Sequence, residues 1–229
     1  MTTDPLAGSP WSVPATVSGF AQSAPNATLL RFAQDELAAG HIRRVIDLGC
    51  GAARNAAPLA QLGCRVLGVD LSWPMLQAAH ARAVAQGLED RLDVVLSPMD
   101  SLPVADATAD LVVAHGIWNL ARSDAEFRTA VREAARIARP GAGLFVFTFS
   151  RHTLPPAAEP VAGEVFVFTQ FSGQPQCFLT DTQLVSELAA AGFEPDARLP
   201  LKEHNRPPSG AVLTTRTPVI YEGAFRRRG

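Results

Sequence analysis

Val45-Ile46-Asp47-Leu48-Gly49-Cys50-Gly51-Ala52-Ala53-Arg54-Asn55 and, one helix-length further on, Val66-Leu67-Gly68-Val69-Asp70-Leu71-Ser72 decide the fold. Each begins as an apolar run ending on an acid, the form buried parallel strands take. The first continues into two glycines, one residue apart, at the mouth of a predicted helix. Strand, glycine turn, helix, strand, acid is how an α/β fold presents a nucleoside-bearing cofactor at the carboxyl ends of its strands.

Outward from these runs, strand and helix alternate. Strands are predicted at Arg44–Leu48, Arg65–Val69, Leu92–Leu96, Leu111–Ala114 and Leu144–Phe149. Between the first two, a helix runs from Ala53 to Leu62 and Gly63 closes it. Ser72 caps the next helix, Pro74 opens it and Gly87 ends it. Ser123–Ala138 is a helix with Phe127, Val131, Ala134, Ala135 and Ala138 on one face, and Pro140-Gly141 turns the chain into the fifth strand. This alternation means βαβ units and a parallel sheet.

The ends are less regular. Met1–Ala24 is rich in Pro, Ser, Thr and Gly yet holds Trp11, Val13, Val17 and Phe20, so it is expected to pack over something. Asn26 caps a helix carrying Leu29, Leu30, Phe32, Ala33 and Leu37, which Gly40 stops. After Ser150 the pattern changes. Glu164–Phe171 alternates apolar and polar residues before the turn Ser172-Gly173-Gln174-Pro175, a β insertion. Asp181–Ala191 is a helix capped by Thr180 or Asp181, and strands near Phe193–Leu199 and Ala211–Tyr221 close the chain, possible antiparallel additions. One domain of 229 residues is expected. Its parts are an N-terminal lid and substrate segment (1–40), a cofactor core (41–150), an insertion (151–180) and a C-terminal helix with strands (181–229).

Composition limits the function. The net charge is −2, with 20 basic and 22 acidic residues, against a nucleic-acid partner. The basic run Arg226-Arg227-Arg228 reads as a solvated tail. Cys50, Cys64 and Cys177 are far apart and form no C-x-x-C pair, so neither a metal site nor a disulfide framework is expected and a reducing cytoplasm is the default. Met1–Pro10 lacks the pattern of a signal peptide, and no apolar stretch is long enough for a membrane span.

A dinucleotide fingerprint needs a small residue at its sixth position, where this chain has the large Arg54. Asp47, at the strand tip, would also face a doubly charged pyrophosphate and repel it. The same carboxylate favours a cofactor bearing an ammonium and a sulfonium. On these residues the chain resembles a class I S-adenosylmethionine-dependent methyltransferase. The family's acid-spacer-G-x-G-x-G motif falls on Asp47, Gly49 and Gly51, with Ala53 in place of the third glycine, tolerable if that residue is helical. Ser97-Pro98-Met99-Asp100-Ser101-Leu102-Pro103 is similar to its G-D-A-x-x-L-P stretch. Ala109–His115 is similar to its D-x-V strand, and Ala138–Leu144 to its L-x-P-G-G-x-L turn.

The resemblance implies a doubly wound, mostly parallel, seven-stranded Rossmann-like sheet with helices on both faces. It places Asp47, Gly49, Cys50, Gly51, Asn55, Asp70, Leu71, Met99, Asp100 and His115 at the cofactor, with Asp70 on the ribose hydroxyls, Leu71 on the adenine face and Asp100 toward the adenine amino group. Alternative readings are a non-catalytic or regulatory module keeping the pocket, and an NAD(P)-dependent oxidoreductase. Asp110, at a strand start, reads as structural.

Methyl transfer from a sulfonium needs alignment in a dry cavity more than covalent help. A base matters for a hydroxyl or a protonated amine, and His115 and His152 are the candidates. Trp11, Phe20, Asn26, Trp118, Asn119 and His152 are candidate acceptor-site residues. The loop His115-Gly116-Ile117-Trp118-Asn119 differs from the Asn/Asp-Pro-Pro-Tyr/Phe of many enzymes that methylate planar amino nitrogens. A small-molecule acceptor with an aromatic or apolar part is expected. The oligomeric state is not legible.

Overall fold

A computed structural model describes residues 4–207 and 217–229. Five parallel strands form its centre: β1 (Arg44–Leu48), β2 (Arg65–Asp70), β3 (Leu92–Leu96), β4 (Ala109–His115) and β5 (Ala138–Phe149). A two-stranded pair follows, β6 (Val167–Phe168) with β7 (Gln176–Cys177). β8 (Phe193–Pro195), β9 (Lys202–His204) and β10 (Ile220–Arg227) complete the main sheet. Its order is β3-β2-β1-β4-β5-β10-β8, with β9 beside β10, and β10 is antiparallel to all its partners. The order reverses between β1 and β4, which opens a crevice at their carboxyl ends.

Helices cover both faces. α2 (Ala27–Ala38), α3 (Ala56–Gln61) and α4 (Trp73–Ala85) bury Leu29, Phe32, Leu59, Ala79 and Ala83 on one side. α5 (Asp124–Ile137) and α6 (Asp181–Ala190) bury Phe127, Val131, Leu184 and Leu188 on the other. Side-chain caps fix the starts: Asn26 accepts from Leu29 N at 2.8 Å and Ser123 from Glu126 N at 3.0 Å, while Thr180 and Gln183 form a capping box. Each cap contributes about 1 kcal/mol. At the opposite edge, Asp110 accepts from Arg43 N and Arg44 N at 2.6 and 2.9 Å, a structural role as expected.

Several local expectations are corrected. Among the described residues the main sheet has eight strands, not seven, because Lys202–His204 pairs along β10. The strand expected at Phe193–Leu199 stops at Pro195, where the Asp196 carboxylate turns the chain by accepting from Arg198 N at 2.9 Å. Only Val167–Phe168 of the predicted insertion strand pairs; Asp124 instead takes the N–H groups of Val165 and Phe166. The 211–216 part of the predicted last strand lies outside the described residues. α3 begins at Ala56 rather than Ala53, since Ala53 has φ +58° and is left-handed, not helical. Its buried methyl offsets part of a backbone cost of about 1–2 kcal/mol.

The arginine run is not a solvated tail either. Arg226 pairs with the buried Glu36 and Asp196 at 2.6 and 2.7 Å, and Arg227 donates to Ala135 O and Gly192 O. Among the described residues no helix is long and apolar enough to cross a membrane.

Gly68 shows how tightly β2 meets the glycine turn: a Cβ there would lie 2.7 Å from Cys50 Sγ. Gly68→Ala is expected to destabilise the protein by about 1–3 kcal/mol. Adding Cys50→Ala should recover much of that loss, as a double-mutant cycle in urea will measure.

Candidate functional site

The turn after β1 is built by two left-handed glycines. Gly49 has φ +66° and Gly51 φ +53°; a Cβ on Gly49 would lie 2.7 Å from Ile117 Cδ1. The turn is tied to β2 by Cys50 N to Val69 O at 3.0 Å. Asp70, ending β2, accepts from Gly51 N and Ser72 N, each at 2.8 Å and each on a separate oxygen. Burial raises the Asp70 pKa, against those backbone donors. Each oxygen retains a lone pair for a further donor. Cys50 is buried and its thiol is pushed well up by burial, so it packs rather than reacts.

Asp47 is 2% exposed and its Oδ2 has no hydrogen-bond partner among the described residues. Burial pushes its carboxyl up to about 7, nearby Asp70 adds to this, and Arg54 opposes it. A buried carboxyl without a partner is costly. A cationic group seated beside it would relieve that cost.

Asn26 connects the elements around His115. Its Oδ1 caps α2, its Nδ2 donates to Glu222 Oε1 at 2.7 Å and lies 3.2 Å from His115 Nε2, and its backbone N–H donates to Asn55 Oδ1 at 2.9 Å. The Asn55 side chain, expected at the cofactor, is thus turned to the lid. Arg54 Nη2 lies 3.2 Å from His115 Nδ1. Both ring nitrogens therefore face donors, and the ring stacks on Phe147 at 4.2 Å. Burial, then the Arg54 charge, lowers the His115 pKa to about 4. At neutral pH this imidazole is uncharged and a weak base, which counts against the catalytic role expected for it.

The N-terminal segment packs over the glycine turn. It forms a 3₁₀ turn, Pro10–Ser12, and a helix, α1 (Pro14–Gln22), which had no sequence signal because it lacks a side-chain cap and buries no residue. Asp4 accepts from Trp73 N at 3.1 Å, and Ser72 Oγ donates to Trp11 O at 3.1 Å. Trp11 meets Phe20 edge-on at 5.9 Å. Phe20 lies over Gly51, with Arg54 5.9 Å from its ring centre. Leu71, Met99 and Asp100 are half-buried on the β2 and β3 side of the crevice.

Trp118 is a correction: it is fully buried against Phe127 and forms core, not a wall. Asn119 is also buried, with Oδ1 unpartnered. His152 follows β5, half-exposed, with Nδ1 2.6 Å from Glu203 Oε1. Sequence reasoning missed Glu222 and Glu203. An acid inside the apolar run Ile220–Phe225 was a usable signal for Glu222; Glu203, in a polar stretch, offered none.

Residues 46–147 match the family described as "Methyltransferase domain". Over these residues the chain is similar to methyltransferase domains. Methyltransferase GfsG of Streptomyces halstedii is 32% identical over 148 residues, 64% of this chain and 51% of that protein. The demethylmenaquinone methyltransferase of Corynebacterium urealyticum is 33% identical over 138 residues, 56% and 55% of the two chains. The chain thus spans about half the length of these relatives. The solved Burkholderia thailandensis 1,6-didemethyltoxoflavin-N1-methyltransferase, with its substrate and S-adenosylhomocysteine bound, shares the fold: TM-score 0.64, 21% identity, 87% and 78% coverage.

S-adenosylmethionine, the cofactor that the resemblance implies, fits the residues present. It carries cationic groups for the orphaned Asp47 carboxyl and ribose hydroxyls for the open lone pairs of Asp70, and it has no phosphate for Asp47 to repel.

The raised Asp47 pKa has a stability consequence without cofactor. Its unfolded value is about 3.9, so the folded carboxyl holds a proton that the unfolded chain has lost between there and about 7. This contribution is complete below about pH 4 and is lost as pH rises through about 7, on the order of 4 kcal/mol in all. Asp47→Asn is expected to flatten that decline and to raise the melting temperature of the cofactor-free protein at pH 8, measurable by calorimetry.

Proposed function

We propose that this chain transfers the methyl group of S-adenosylmethionine to a small-molecule acceptor by in-line displacement. The observation that carries the reading is the buried Asp47 carboxyl with an unpartnered oxygen, next to a glycine turn whose N–H is already held by Asp70. A pyrophosphate would meet repulsion there; an ammonium would complete the pocket. The bound cofactor supplies an activated methyl carbon on a sulfonium sulfur.

The chain's own residues bind, orient and exclude water. Asp47 takes the cationic methionine end and Asp70 the ribose hydroxyls. Leu71, Met99 and Asp100 flank the adenine. Gly49 and Gly51 let the backbone pass close beneath. Asn26, Arg54 and His115 form the neighbouring wall at the end of β4, and His115, held neutral, acts as a positioning group rather than a base. Trp11 and Phe20 cover the turn and keep water from it.

A small acceptor accords with the mixed charge of the chain and with the acceptors for which two similar proteins are named, a demethylmenaquinone and a didemethyltoxoflavin. Three free, buried cysteines accord with work in a reducing cytoplasm.

Calorimetry with S-adenosylhomocysteine tests the pocket. Asp70→Ala should weaken binding about 10- to 100-fold, the loss of hydrogen bonds to a charged acceptor. Wild-type affinity should rise as pH increases toward 7 and level off above it, because binding a cation to Asp47 expels its proton; Asp47→Asn should bind weakly with no such slope. Unchanged affinity in Asp70→Ala would falsify the pocket assignment. Binding without transfer of labelled methyl to any of a broad acceptor panel would favour a regulatory module.

A further inference from the structure

We propose that His152 and Glu203 form a proton-accepting pair at the acceptor cavity, and that the acceptor is an uncharged molecule with a phenolic or enolic hydroxyl. This rests on the methyl-transfer reading above and names the acceptor class for that site.

The pair is assembled from two elements far apart in sequence. Ser150, fully buried at the end of β5, accepts from His152 N at 3.1 Å and so starts the short 3₁₀ turn Arg151–Thr153. Its hydroxyl donates to Glu203 Oε1 at 2.5 Å. Glu203 sits on β9, held there by pairing with Tyr221 of β10. His152 Nδ1 lies 2.6 Å from the same Oε1. The Ser150 and His152 hydrogen bonds lower the Glu203 pKa against its burial, so it is an acceptor only. The shared proton therefore sits on His152 Nδ1. In the neutral ring this leaves the Nε2 lone pair available, and among the described residues Nε2 has no hydrogen-bond partner. A carboxylate that fixes the tautomer and stabilises the resulting imidazolium is the arrangement that makes a histidine an effective base. His115 differs in both respects: donors face both of its nitrogens.

Other charged groups nearby are already engaged. Arg206 lies 3.4 Å from Glu203 Oε2. Arg151 donates to carbonyl oxygens of the following loop and lies over Phe168. His204 is 3.8 Å from Glu222. The Tyr221 phenol, pushed up by burial and influenced by Glu203 and Asp181, stays protonated.

His152 lines a cavity of about 920 Å³ together with Leu154, Phe171, Asn205 and Val219. It opens at the carboxyl edge of β5, the strand whose Phe147 pairs with His115 of β4, and adjacent strands lie about 4.8 Å apart. Among the described residues the lining contains no Asp, Glu, Lys or Arg. A carboxylate or phosphate acceptor would find no counter-charge among them, and a thiolate or neutral amine would need no base. A hydroxyl acid enough to yield its proton to imidazole uses every group present. In the step, the acceptor O–H bond breaks and its proton goes to Nε2. The oxygen lone pair forms the new bond to the methyl carbon, and the carbon–sulfur pair leaves on sulfur as the neutral thioether. The imidazolium then returns its proton to solvent.

4-Nitrophenol tests this, because its anion is read directly by absorbance. It is titrated against the full chain with S-adenosylhomocysteine bound. Its apparent ionisation midpoint is expected to fall by about one pH unit on binding, a tenfold change. His152→Gln and Glu203→Gln should abolish the shift and Glu203→Asp should retain part of it, all with S-adenosylhomocysteine affinity within about twofold of wild type. Failure of the probe to bind, binding without a shift, or an equal shift in His152→Gln would overturn the proposal. Failure of the wild type to bind S-adenosylhomocysteine would instead strike the methyl-transfer reading.

Discussion

The Asp70 carboxylate joins the two halves of the crevice. One oxygen holds Gly51 N in the turn after β1, and the other holds Ser72 N at the start of α4. Without it, the glycine turn and the helix N-terminus would each carry an unsatisfied donor at the place where a ligand must enter. The negative charge is also supported there by the N-terminal end of the α4 dipole. Around this link, β1 and β2 approach so closely that Gly68 must lack a side chain to admit Cys50 Sγ. The motif is therefore a packing solution as much as a binding one.

A second link ties the start of α2 to β10. Asn26 uses its oxygen to cap α2 and its nitrogen to reach Glu222 on β10. That fixes the orientation of its amide, which in turn sets what His115 meets. The ring is flanked by Asn26 and Arg54, desolvated and kept uncharged. Whereas α2 buries Leu29 and Phe32, α1 contributes no buried side chain and is tied down by polar bonds from α4 and its cap, Ser72 Oγ to Trp11 O and Arg82 to Ala21 O. Segments tied this way open at lower free energy than the core, which suits a cover over a site that must load and release.

Much of the core was legible because its signals are local. Asp47, the glycines and Asp70 lie within two strands and one turn, and the alternation of apolar runs with capped helices fixes the parallel sheet. What escaped depends on distant partners or on backbone detail. Asn26 and Glu222 lie 196 residues apart in sequence, and no local pattern announces their bond. The Arg226–Arg228 run reads as solvated only until Glu36 and Asp196 are brought beneath it. Trp118 is apolar enough for wall or core, and the packing of Phe127 decides for core. Ala53 departs from helical geometry because the turn must finish before α3 starts, a requirement set by the strand-to-helix angle and not by alanine itself.

Two carboxylates in this chain show how environment assigns opposite tasks to one functional group. Asp47 is buried with an oxygen lacking any donor, and its carboxyl rises to about 7. Glu203, less buried, has a hydroxyl, an imidazole and a guanidinium around it, and its pKa falls. The first is a site of unmet demand, poised to bind a cation and to lose a proton on doing so. The second is already satisfied and uses its charge to hold another group in one tautomer. Pairs of acids driven apart in this way separate binding from proton transfer. In the proposed reaction the division follows the sheet: cofactor recognition where β1 and β2 end, and proton handling where β5 ends beside β9.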